Sequence, residues 1–138
     1  MIVVDTNVIA YLLIDGDHTP AARGTLARDP MWAAPVLWRS EFRNVLGLYV
    51  RKRVLSLKEA VALQTAAESL LRGHEHVVAS NDVLMLVSSS DRSAYDCEFV
   101  AVAQQLGVSL VTSDRQLLRT FPKYAVDIEK FGFGVAGV

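Results

Sequence analysis

Along this chain the spacing of apolar positions switches between the period of a strand and that of a helix, and each switch marks an element. Ile2-Val3-Val4 is a short β-branched run that predicts a buried strand. Apolar residues then recur on one helical face from Thr6 to Ile14, with Asp5 in the N-cap position. Asp15-Gly16-Asp17 breaks that helix. Thr19 caps a second one, Pro20 opens it, and it runs to Arg28 before Asp29-Pro30 stops it. Met31 to Ala34 predicts another strand, and Leu37 to Arg53 a long amphipathic helix. Ser56 and Glu59 form a capping box for a helix from Leu57 to Arg72, which Gly73 ends.

The second half repeats the alternation. His76 to Ala79 predicts a strand, Asn81 to Ser89 a short helix, and Ser88 to Arg92 a polar break. Ser93 caps a helix reaching Leu106, with Gly107 as its terminator. Val108 to Thr112 reads as a buried strand, Asp114 as the cap of a short helix stopped by Pro122, and Val126 to Ile128 as an edge strand. This order predicts a three-layer α/β fold around a mainly parallel sheet of four to five short strands. Residues 1–130 are expected to form one domain, and 131–138 a glycine-interrupted, poorly ordered tail.

Composition narrows the class without choosing a function. A length of 138 residues suits a single domain, and 51% hydrophobic residues argue against disorder. No apolar run approaches the roughly 18 residues of a membrane span, and nothing near the start resembles a signal peptide, so a cytoplasmic setting is expected. A net charge of −1 offers a polyanion no bulk attraction; any such substrate needs local positive charge. The single cysteine, Cys97, excludes an internal disulfide and fits a reducing compartment.

Four carboxylates carry the chemical signal. Asp5 and Asp114 each follow a predicted strand directly, and in an open parallel sheet that is the edge where ligands bind. Either is also explained as a helix cap. Asp96, three residues past the cap Ser93, suits a capping-box variant, yet it begins a helix whose apolar face runs through Phe99, Val100, Ala103 and Leu106. Glu41 is harder to explain structurally. Its helical neighbours are Leu37, Trp38, Val45 and Leu48, so it lies on or beside the stripe that faces the core. A buried carboxylate there needs a partner such as Arg39 or Arg43, or a metal. Together the four would carry a nominal charge of about −4, and hard oxygen ligands of this kind suit Mg²⁺ or Mn²⁺.

In order and spacing, Val4-Asp5-Thr6-Asn7-Val8, the helix-borne Glu41, Ser93-Ala94-Tyr95-Asp96 and Leu110-Val111-Thr112-Ser113-Asp114 resemble the PIN-domain nucleases, and most of all the small VapC-type toxins. The resemblance spans essentially the whole chain. It implies the α/β/α PIN fold and Mg²⁺- or Mn²⁺-dependent endonucleolytic cleavage of RNA. It also implies Asp5 and Asp96 as principal metal ligands, with Glu41 and Asp114 completing the set directly or through water. Thr6 or Thr112 is expected to orient Asp5, and Asn7 to assist. A homodimer and a cognate antitoxin are implied as partners by the same resemblance alone.

Arg92 and Arg115, next to the acids in sequence, are the candidate phosphate contacts. Arg51-Lys52-Arg53 reads as a solvated helix end, and the three histidines as surface residues. Two further readings compete. Phosphoaspartyl chemistry on Asp5 fits poorly, since Asn7 stands where a second Asp is needed. A non-catalytic PIN-like module binding RNA or protein is the alternative, against which the intact acidic set weighs.

Overall fold

A computed structural model describes residues 1–134 of the chain. Its elements are β1 (Ile2–Val4), α1 (Thr6–Leu13), α2 (Thr19–Arg28), β2 (Trp32–Pro35), α3 (Trp38–Arg51), α4 (Leu57–Leu70) and β3 (Glu75–His76). There follow α5 (Ser80–Ser88), α6 (Ala94–Leu106), β4 (Leu110–Thr112), α7 (Arg115–Thr120), β5 (Ala125–Asp127) and α8 (Ile128–Gly132). The five strands form one sheet in the order β3-β2-β1-β4-β5. Every pairing is parallel, so the sheet is more regular than the mainly parallel one expected.

Parallel strands require crossovers, and the crossovers cover the sheet with helices. Val3 and Val4 point to opposite faces of β1, and both are fully buried. Ile2 to Val4 is therefore a continuous apolar run because it has no wet side. Helix α6, with α5 outside it, packs across β1, β2 and β4; α1 and α8 pack against β4, and α2 lies on both. Helix α3 rests on α1 and carries α4. The result is the three-layer α/β/α arrangement.

Most element ends fall within two residues of the sequence reading, and two places differ by more than that. Strand β3 is only Glu75–His76, because Val77, which looked like strand interior, is 85% exposed and finds no sheet partner among the described residues. Glu75 is pinned there by Arg39, whose Nε and Nη2 donate to its two carboxylate oxygens at 2.6 and 2.8 Å, and by the Trp38 indole at 2.7 Å. The last strand ends at Asp127, and Ile128 opens α8 instead of closing the strand. Phe131 and Gly132, expected in the tail, belong to this helix, with Ile128 fully buried and Phe131 against the core. The end of the expected tail, 135–138, lies outside the described residues.

Helix α8 docks on α2 almost backbone to backbone. A Cβ placed on Gly24 would lie 1.9 Å from the carbonyl oxygen of Gly132, and one on Gly132 would lie 2.1 Å from that of Ala21. Only residues without side chains permit this approach. Arg28 closes the contact, its guanidinium 4.2 Å over the Phe131 ring and donating to the Phe131 carbonyl.

Candidate active site

The chain leaves β1 for β2 and β3 on one side, then returns to β4 on the other side of β1. That reversal opens a crevice at the carboxyl ends of β1 and β4. Asp5 follows β1 directly and Asp114 lies two residues beyond β4. Helix α3 starts from the carboxyl end of β2, so its first turn brings Glu41 to the same edge. Helix α6 leads down into β4, so its first turn, with Asp96, lies at that edge as well.

Local hydrogen bonds fix the acids. Asp5 holds the N-cap position of α1 but makes no cap bond with its side chain. Its Oδ2 accepts instead from the Thr112 hydroxyl at 2.8 Å. The same hydroxyl accepts the Asp114 amide at 3.0 Å, so one threonine spans both acids. The Thr6 hydroxyl does not serve Asp5; it donates to Glu41 Oε1 at 2.7 Å, and only the Thr6 backbone acts on Asp5. Asp114 is a true cap, its Oδ1 accepting from the amides of Gln116 and Leu117 at 2.8 and 3.2 Å. The Asp96 amide donates to Ser93 Oγ at 3.1 Å, which caps α6 while its carboxylate stays free of that bond.

Electrostatics couple the group. Burial lifts the Asp5 carboxyl from its usual 3.8 to about 6; the Thr112 hydrogen bond opposes this, and the charges of Glu41 and Asp96 add to it. Glu41 is raised by burial first, then by Asp96 and Glu98, against the Thr6 bond. Asp96 is raised by burial and by Asp114, with Arg92 opposing. Each of these three acids thus feels the charge of another, and among the described residues Arg92, 3.9 Å from Asp96, is the one basic side chain within ion-pair range of the four. Arg39 is committed to Glu68 and Glu75 and leaves Glu41 without an ion-pair partner among the described residues.

The remaining candidates lie at the rim. Arg92 reaches Asp96 only at 3.9 Å and is tied to Asp91 and Gln116. Arg115 is 69% exposed, with a 3.5 Å contact to Asp127. Asn7, in the first turn of α1, is exposed. One acid escaped the sequence reading: Glu98, partly buried on α6, has its carboxyl raised by burial and acts on Glu41. Its position between buried Cys97 and Phe99 was the available signal.

The donor set fits a hard divalent cation. It is all oxygen, partly desolvated and held by neutral hydroxyls. Among the described residues no three His, Cys, Asp or Glu groups come close enough together to hold a metal ion by themselves, so an ion here would have to draw further ligands from water or substrate.

Comparison with known proteins adds the lineage. The PIN domain profile matches residues 2–122. The chain belongs to the PIN-domain family. Within that family it is similar to ribonuclease VapC3 of Pyrobaculum aerophilum, at 28% identity over 124 residues covering 88% of this chain and 95% of that protein. The PIN match includes all four acids and both threonines that hold them.

Proposed function

We propose that this PIN-domain protein is a Mg²⁺- or Mn²⁺-dependent endoribonuclease, and that it serves as the toxin of a toxin–antitoxin pair. One observation carries the chemistry. Asp5 is buried at the sheet edge, while Glu41 and Asp96 press further negative charge upon it. Likeness to a protein named as a VapC ribonuclease supports RNA as the substrate.

In this reading Asp5 and Asp96 hold the metal, with Glu41 and Asp114 joining directly or through water. A bound dication supplies Lewis acidity, lowering the pKa of a coordinated water and polarising a phosphoryl oxygen. Thr112 keeps Asp5 and the Asp114 backbone in register, and Thr6 aims Glu41. With Oε1 held by Thr6, Glu41 Oε2 is left to take the proton of the attacking water. The N-termini of α1 and α6 turn their partial positive charge toward the same crevice and favour a phosphate there. The products are a phosphate monoester and a free hydroxyl.

The test is incubation of the purified protein with RNA and Mn²⁺, then with EDTA, beside Asp5→Asn and Asp96→Asn. Cleavage that needs metal and is lost in both variants is expected. Undiminished cleavage by either variant refutes the assignment. Tight RNA binding indifferent to metal and to Asp96→Asn would favour the non-catalytic module.

A homodimer, an antitoxin and a cytoplasmic setting complete the proposal. The apolar groove between α3 and α4, about 610 Å³ and lined by Leu46, Val50, Leu57 and Val61, supports a protein partner. Sedimentation of the protein alone tests the dimer.

A further inference from the structure

The acids do not end the groove between α1 and α3. Along α3, Glu41, Val45 and Tyr49 follow at four-residue steps, so one face of the helix runs from the crevice about 12 Å outward at 1.5 Å per residue. On α1, Asn7 directly follows Thr6, which holds Glu41, and Tyr11 stands one turn further on. These faces and the segment after α1 line a cavity of about 310 Å³.

Its wall is aromatic and braced. The Tyr11 and His18 rings stack with centroids 4.4 Å apart at 29°. The Tyr11 hydroxyl shares a 2.9 Å hydrogen bond with Ser113 Oγ, and His18 Nδ1 lies 3.2 Å from Glu129. The His18 side chain remains 45% exposed, so the stack is open to a ligand. Charge argues against a phosphate in this cavity. Asp15 and Asp17 stand at its lip, Asp15 with exposed Arg23 at 3.7 Å, and no Lys or Arg is among the described lining residues. A flat, neutral ring with N–H donors suits such a space, because every nucleobase offers a π-face and most carry donor edges.

We infer that this cavity is a nucleobase subsite, which stacks a base of single-stranded RNA on Tyr11, His18 and Tyr49, one or two nucleotides from the phosphate to be cut. Asn7 and the lip carboxylates are then hydrogen-bond partners for the base edge. The inference rests on the nuclease reading above and adds where the strand is gripped.

The test compares oligoadenylate, oligocytidylate and oligouridylate hexamers with an abasic hexamer of equal charge, by fluorescence anisotropy in Ca²⁺, with probe integrity checked on gels. Wild type is expected to prefer at least one base-bearing hexamer by about 10-fold, the scale of one stacked base. His18→Ala and Tyr49→Ala should each erase most of that preference and leave abasic binding unchanged. Tyr11→Phe, which keeps the ring, should retain it. Equal binding of base-bearing and abasic probes by wild type overturns the subsite while leaving the nuclease reading intact. A base preference that survives both alanine variants overturns it too, and leaves the cavity to a protein segment. If no hexamer binds, the RNA reading fails and the subsite falls with it.

Discussion

Replacing Asp5 by Asn should stabilise the metal-free protein, and the size of the effect follows from the site. Asparagine keeps the shape, and its Oδ1 still accepts from Thr112, so the substitution removes charge and little else. Moving the carboxyl from 3.8 to about 6, at about 1.4 kcal/mol per pH unit, costs the ionised native state about 3 kcal/mol. The sign follows from the raised value. The native state holds this proton more tightly than the unfolded chain, so stability from Asp5 is full below the unfolded pKa and is lost as pH rises through about 6. Urea unfolding in EDTA should therefore show the Asp5→Asn variant and wild type nearly equal near about pH 4 and separated by about 2–3 kcal/mol near about pH 7.5, the variant being the more stable. Shifted carboxylates remote from the cluster, such as Glu75 and Asp29 with lowered values, shape both profiles alike and cancel in the difference, whereas Glu41 and Asp96 are relieved of the Asp5 charge and widen it in the same direction. A variant less stable than wild type at the higher pH would refute the reasoning. So would a difference flat with pH, because either would mean that Asp5 serves the helix rather than a cation.

Three further outcomes follow from the same geometry. Mn²⁺ at about a hundred times its dissociation constant should stabilise wild type by about 2.7 kcal/mol and leave Asp5→Asn and Asp96→Asn nearly unmoved, read by thermal unfolding. Thr112→Val, which deletes the hydroxyl shared by Asp5 and Asp114, should weaken Mn²⁺ affinity about 10- to 100-fold, measured by calorimetry, while secondary structure persists. Two glycine substitutions should diverge in chemical denaturation. Gly24→Ala forces a methyl group into the Gly132 carbonyl and should cost about 3 kcal/mol, whereas Gly47→Ala meets open space in mid-helix and should gain about 0.5–1 kcal/mol.

The sequence made some features legible because local chemistry and global position agree there. Ile2-Val3-Val4 reads as a doubly buried strand since nothing polar interrupts it, and Glu41 draws notice as a charge on an apolar stripe. Ser56 and Glu59 form the capping box their spacing implies. What stayed hidden depends on partners remote in the chain. Thr6 looked like a support for its neighbour Asp5, but its hydroxyl reaches Glu41, 35 residues away. Tyr11 and Ser113 meet across 102 residues, and no periodicity announces such a pair. The end of the chain misled for a related reason. Glycines near Phe131 suggest a loose tail when read alone, yet Gly132 is small because Ala21 and Gly24 of α2 need its backbone close.

The bond from Thr112 to Asp5 joins positions 107 residues apart. Until β4 slots beside β1, the early aspartate has neither its aligning hydroxyl nor its late acidic neighbours. A growing polypeptide that has not yet extruded that strand consequently lacks the assembled acidic cluster, which forms only with the completed sheet. On the nuclease reading proposed above, a nascent chain gains its cutting site only when that late strand is in place.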